Sequence, residues 1–123
     1  MGLRSANKGG EELLIPFEMV DLPAIVQIET TRVCNLSCRM CPRTLGKLPT
    51  HFLDGRLNEE VWVRLRDFAG KVGAVILHGF GEPFTNPKFI AMLEDLDDRG
   101  VHTSFSTNGF VPLGAVERLS NLH

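Results

Sequence analysis

The chain is 123 residues long, the size of one small domain, and 43% of it is apolar, enough for a modest core. Thirteen Lys and Arg against fifteen Asp and Glu leave a formal charge of −2, which lacks the electrostatic footprint of a nucleic-acid or anionic-membrane binder and points to small molecules or proteins as partners. No apolar run approaches the roughly 18 residues of a membrane span. "MGLRSANKGG" has no apolar core for secretion, and Ala6 stands where acylation wants Ser or Thr, so the reading is a cytoplasmic protein. Residues 1–22 read as a lead-in, polar and partly disordered at first, then apolar but broken by Pro16, with Pro23 just beyond, and so without a long element. "AIVQIET" reads as a strand, because Ile25, Val26 and Ile28 are β-branched and polar residues begin to alternate. Asn58 followed by two glutamates marks a helix start, with Val61, Leu65, Phe68 and Ala69 as its apolar side until Gly70. "AVILHG" is a second strand. Asn86-Pro87 places a cap ahead of a proline at the first helical position; Phe89, Leu93 and Leu96 form the buried stripe and Gly100 closes the helix. "VHTSFSTNG" is a third strand running into a turn, and a third helix from Pro112 presents Leu113, Val116 and Leu119 on one side.

This alternation predicts an α/β fold of parallel strands joined by right-handed crossovers. The pleat sorts the strands' side chains into two faces. Val26 and Ile28 oppose Gln27 and Glu29; Val101, Thr103 and Phe105 oppose His102, Ser104, Ser106 and Asn108; on the second strand only His78 is polar. A sheet covered by helices on one face and polar on the other curls into a barrel or partial barrel, with ligands expected at the C-terminal strand ends.

All three cysteines fall in the eight residues from Cys34 to Cys41, as C-x3-C-x2-C followed by Pro42. In a reducing compartment an odd, tight cluster points to metal or redox chemistry rather than to disulfides. A structural zinc site closes with four ligands, and His51 would have to be the fourth with no spacing to recommend it. A ferredoxin-type run needs further cysteines. Three thiolates on an iron–sulfur cube would leave one iron open, and the missing cysteine is then a coordination position for a substrate or cosubstrate. Two more segments end strands: "HGFGEP", His78 to Pro83, and "STNG", Ser106 to Gly109; each alone also reads as an ordinary tight turn. His78 beside the first of these reads as a structural histidine, Trp62 and Phe68 as packing, and Arg39 and Arg43 as solvated loop arginines.

Together the three segments resemble the radical SAM enzymes, whose C-x3-C-x2-C run follows the first strand of a partial (β/α)6 TIM-like barrel. The resemblance covers Pro23 to the C-terminus. It implies a [4Fe–4S] cluster on Cys34, Cys38 and Cys41, with S-adenosylmethionine chelating the open iron and cleaved reductively to a 5′-deoxyadenosyl radical that abstracts hydrogen. Gly79, Phe80, Gly81 and Glu82 match the family segment whose backbone oxygens meet the amino group of S-adenosylmethionine, and Ser106 and Asn108 match the strand end beside it. Met40 stands where the family often has an aromatic residue against adenine. "IETTRVCNLSCRMCPR" and "GFGEPFTNPKF" look most like the branch that carries SPASM regions, which implies a peptide, protein or cofactor-precursor substrate and a flavodoxin- or ferredoxin-type electron donor. The alternative is a non-catalytic cluster- or zinc-binding interaction domain. Residues 23–123 accommodate only about three βα units, the first half of such a barrel, so the expectation is a core incomplete for turnover that tends to pair with a second polypeptide. Replacing Gly79 or Gly81 by Val is expected to weaken cosubstrate binding while sparing the cluster.

Overall fold

A computed structural model describes the backbone of residues 3–8 and 11–16 and the whole of residues 22–123. Strands β1 (Leu3–Lys8) and β2 (Glu11–Pro16) pair antiparallel, from Leu3 opposite Pro16 to Lys8 opposite Glu11. The sequence reads this lead-in as a partly disordered segment without a long element, and it does not anticipate the pair.

The site-bearing unit is a three-stranded parallel sheet in the order β3 (Ile25–Ile28), β4 (Ala74–Leu77), β5 (His102–Phe105), with Ile25 opposite Ala74 and Ala74 opposite His102. Helices α1 (Glu59–Ala69) and α2 (Phe89–Asp98) make the crossovers, and α3 (Leu113–Leu119) follows β5. One face of the sheet carries Ile28, Val75 and Leu77, all buried, together with Thr103 and Phe105, and packs on the helices. The opposite face, with Gln27, Glu29, His78, His102, Ser104 and Ser106, is left open, as the alternation requires. Phe84, Phe89 and Phe105 meet edge-to-face, with centroids 5.1 to 6.0 Å apart, and lock the start of α2 onto the sheet beneath the C-terminal strand ends.

The helix faces differ from the sequence pattern in detail. Asn58 caps α1 as expected, its Oδ1 accepting from the Val61 N–H at 2.9 Å. The buried row is Trp62, Leu65 and Ala69, whereas Val61 and Phe68 flank it and are exposed. Trp62 wins the central place because its indole N–H also reaches Asp95 on α2 at 2.7 Å. In α2 the regular helix begins at Phe89, after a 3-10 turn at Pro83–Thr85, so Pro87 lies outside the first helical position. Asn86 is buried: its Oδ1 accepts from the Lys88 N–H, and its amide donates to the carbonyls of Thr30 (2.8 Å) and Leu57 (3.3 Å). Gly100 closes α2 at φ +67°, the left-handed conformation expected of it. On α3 the core-facing row is Ala115 with Leu119; Leu113 is 93% exposed and Val116 is also outside, because the small Ala115 lets the helix sit close to α2. Arg118 ties α3 to Glu94 of α2 at 2.7 Å, and this bond holds the Glu94 carboxyl below its ordinary range.

Candidate functional site

Three loops leave the C-terminal ends of the three parallel strands and are sewn together there. The stem of the first, residues 30–33, is held by main-chain bonds to a return segment: Leu57 N–H to the Thr30 carbonyl (2.9 Å) and Arg32 N–H to the Gly55 carbonyl (2.7 Å). From that stem the cysteine loop runs out. Cys34 and Cys41 are half-buried and Cys38 is exposed; all three thiols are free. A single turn follows, with Leu45 N–H on the Cys41 carbonyl at 3.0 Å, and ends at Gly46 with φ +64°. Arg43 is no solvated arginine: it donates to the carbonyls of Arg32 and Leu53 and closes the loop on its own base. Arg39 is exposed, as read from sequence.

The second loop, after β4, has the conformation that matters most. Phe80 N–H donates to Glu29 Oε1 at 2.8 Å and Glu82 N–H to the Val33 carbonyl at 2.8 Å, so the loop's donors turn inward. Among the described residues no donor meets the carbonyls of Gly79, Phe80 or Gly81. Three successive acceptors without partners, on a loop edge beside free thiols, suit a ligand rich in N–H groups.

The glycines have a reason beyond ligand access. A Cβ on Gly81 would lie 2.3 Å from the Thr31 carbonyl oxygen and 2.6 Å from that of Val33, both backbone. A Cβ on Gly79 would lie 2.3 Å from Glu29 Cγ and Oε1, a side chain with freedom to move. The two positions are therefore unequal: Gly79→Val meets a movable neighbour, whereas Gly81→Val displaces the root of the cysteine loop itself. This revises the expectation that the Gly81 substitution spares the cluster.

Glu82 is buried and bonded at both carboxylate oxygens. Oε1 accepts from the Thr107 hydroxyl (2.8 Å) and the Phe84 N–H (3.3 Å), and Oε2 from the Asn108 N–H (2.7 Å). It joins the second loop to the third. Asn108 then reaches the cysteine loop, its amide donating to Asn35 Oδ1 at 2.8 Å. Ser106 is exposed on the open face, Met40 stands 87% exposed on the cysteine loop, and Phe80 is partly exposed. The His78 ring is exposed; its carbonyl is what is bonded, to Gln27 Nε2 at 3.0 Å. Glu82→Gln puts an amide N–H₂ against groups that are themselves donors, so a loss of about 1–3 kcal/mol is expected, measured as a lower urea midpoint with unchanged slope.

Sequence reading missed Glu29, Arg32, Asn35, Phe52 and Thr107. Only Glu29 carried a signal, as the polar residue ending the open face of β3 just before the loop. A cavity of about 190 Å³ lies beside this place, lined by Glu29, Thr31, Arg32, Gly55, Arg56 and Leu57.

The chemistry of the donor set, three free thiols on one loop, suits an iron–sulfur cube, and His51 is exposed in the Thr50–Phe52 turn. A cube asks for separate thiolates on separate irons.

Comparison with known proteins agrees with this arrangement. The radical SAM superfamily model matches residues 28–123. The chain is 34% identical over 96 residues to the probable dual-specificity RNA methyltransferase RlmN of Lysinibacillus sphaericus, a match covering 68% of this chain and 25% of that protein. It is 31% identical over 87 residues to the tungsten-containing aldehyde ferredoxin oxidoreductase cofactor-modifying protein of Pyrococcus furiosus, covering 67% of this chain and 23% of that one. It thus spans about a quarter of the length of these relatives. Among solved structures, that of BtrN in complex with AdoMet and 2-DOIA superposes with a TM-score of 0.66 at 18% identity, over 83% of this chain and 43% of the other, a likeness of fold. With the cysteine run, the strand-end loops and strands β4 and β5 inside the matched residues, the chain belongs to the radical SAM superfamily, whose cofactors are a [4Fe–4S] cluster and S-adenosylmethionine.

Proposed function

We propose that this chain is the cofactor-holding part of a radical SAM enzyme. Cys34, Cys38 and Cys41 would hold three irons of the cluster, and the carbonyls of the Gly79–Gly81 segment would take the amino group of S-adenosylmethionine at the fourth. The observation that carries this reading is the run of three unpartnered acceptors beside the loop of free thiols. When bound, the two groups supply reductive carbon–sulfur cleavage and a 5′-deoxyadenosyl radical for hydrogen abstraction. The chain's own part is orientation. Glu82 and Asn108 keep the three loops in register, Ser106 offers a hydroxyl on the open face, and Met40 offers a soft apolar surface for the adenine.

The substrate we propose is a peptide, protein or cofactor precursor. The P. furiosus relative is by name a cofactor-modifying protein, which favours the last; the RlmN relatives are by name RNA methyltransferases. The overall charge of −2 hides an uneven distribution: residues 31–56 hold Arg32, Arg39, Arg43, Lys47 and Arg56 against Asp54 alone. A basic collar on the cysteine loop suits an acidic flavodoxin- or ferredoxin-type donor in a reducing cytoplasm. No helix among the described residues is long and apolar enough to cross a membrane. Beside the β5 edge, Phe110, Leu113 and Val116 leave an apolar surface that a further βα unit or a second polypeptide would cover.

Anaerobic reconstitution with iron and sulfide tests the reading. The expected result is about four irons per chain and an electron paramagnetic signal of the reduced cluster that shifts on adding S-adenosylmethionine. Stoichiometric zinc with no iron uptake would establish the zinc-binding alternative instead.

A further inference from the structure

We infer that Glu29 is a positioning residue for the amino end of S-adenosylmethionine, acting through the Gly79–Phe80 peptide; the inference rests on the function proposed above. In a trans peptide the N–H and the C=O of the same unit point in opposite directions, and the described chain has no cis bond. Because Phe80 N–H is fixed on Glu29 Oε1 at 2.8 Å, the Gly79 carbonyl is turned away from β3. The unit before it is fixed the opposite way round, its His78 carbonyl held by Gln27 Nε2 at 3.0 Å. Two neighbouring polar side chains of the β3 open face thus set the two peptides that flank Gly79.

Glu29 is itself oriented by side-chain contacts. Its Oε2 accepts from Arg32 Nε at 3.1 Å, the Arg32 guanidinium carbon lies 3.8 Å from the centre of the Phe52 ring, and Phe52 meets Phe80 edge-on at 6.5 Å. The circuit Glu29, Arg32, Phe52, Phe80 closes on the backbone of Phe80, from which Glu29 is reached again. Gly79 completes the fit, since Glu29 occupies the space its missing Cβ would need. A carboxylate on the Phe80 N–H also polarises the amide, so the Gly79 oxygen becomes a stronger acceptor. Glu29 touches neither cofactor in this account; it aims and strengthens the group that does.

The test compares Glu29→Ala, Glu29→Gln and Arg32→Met in the full chain with reconstituted cluster, by equilibrium binding of two probes. One is S-adenosylmethionine; the other is 5′-methylthioadenosine, which keeps the adenosine and the sulfur and lacks the amino-acid end. Glu29→Ala is expected to weaken S-adenosylmethionine roughly tenfold, the size of one charge-assisted hydrogen bond, with less than about a twofold change for 5′-methylthioadenosine and unchanged iron. Glu29→Gln, which keeps an acceptor for Phe80 N–H, should recover most of the affinity. Arg32→Met, which only releases the clamp, should lose about threefold on the same probe alone, and decides the matter if Glu29→Ala does not load iron. Equal weakening of both probes, or wild-type affinity for S-adenosylmethionine in Glu29→Ala, overturns the inference alone. A wild-type chain that holds its cluster yet binds neither probe overturns the proposed function together with it.

Discussion

Alanine at any one of Cys34, Cys38 or Cys41 is expected to abolish the cluster: no brown chromophore after anaerobic reconstitution, iron near background, and no signal responsive to S-adenosylmethionine. The size of the effect follows from the ligand count. The chain has three cysteines, all in one loop, and so no fourth thiolate to take the place of a lost one. Two thiolates do not fix the orientation of a cube, and an iron without its thiolate is open to solvent and loss. The fold should survive. The cysteine loop sits outside the Phe89, Leu77 and Leu96 core, and its stem is held by the Thr30, Arg32, Gly55 and Leu57 backbone bonds, so far-ultraviolet dichroism of each variant should match the parent. A single variant retaining a full complement of iron and sulfide would show that the three-thiolate assignment is wrong.

Gly81→Val is the second large effect, and the structure makes it one of stability as well as binding. Its Cβ would stand 2.3 Å from the Thr31 carbonyl oxygen and 2.6 Å from the Val33 oxygen, far inside van der Waals contact, with no flexible side chain to give way. Relief requires the second loop to lift off the cysteine-loop stem. That breaks the Glu82 N–H to Val33 bond and the Thr85 hydroxyl bond to the same carbonyl. Overpacking together with two lost hydrogen bonds is worth about 3–5 kcal/mol, against a total of 5–15 for a domain of this kind. Iron loading and the S-adenosylmethionine response should fall together, with a markedly lower denaturation midpoint. Gly79→Ala should separate them, because Glu29 can swing aside: iron stays and the response to S-adenosylmethionine weakens. Identical behaviour of the two variants would mean that the loop is not held as described.

Much of this was legible along the chain because it depends on near neighbours. Strand and helix order follows from local periodicity; the two faces of β3 and β5 follow from the pleat, which is a property of consecutive residues; and the cysteine spacing is itself a statement of chemistry. The Asn58 cap and the Gly100 stop are likewise local, one a side chain reaching three residues on, the other a backbone angle that glycine tolerates. Where periodicity left two candidate rows, it was right only in part: Leu65, Ala69 and Leu119 face the core, whereas Val61, Phe68, Leu113 and Val116 do not. Val61 and Trp62 both repeat at helical spacing in α1, and only the presence of Asp95 on another helix decides that the indole turns inward. In α3, Leu113 and Val116 look like a core stripe until the approach of α2 selects the small Ala115.

The site divides in the same way. Cys34, Cys38, Cys41 and the Gly79–Glu82 segment stand out as the candidate site from residue types and spacing. How each is bonded there depends on partners 10 to 51 positions away: Glu82 bound to Thr107 and Asn108, Phe80 N–H bound to Glu29, Arg43 folded back on Arg32 and Leu53. A carboxylate reads the same in sequence whether it waits for a ligand or is spent on its neighbours. Only the folded chain distinguishes them, because a hydrogen bond depends on distances of about 3 Å between groups that the parallel crossovers bring together from separate strands.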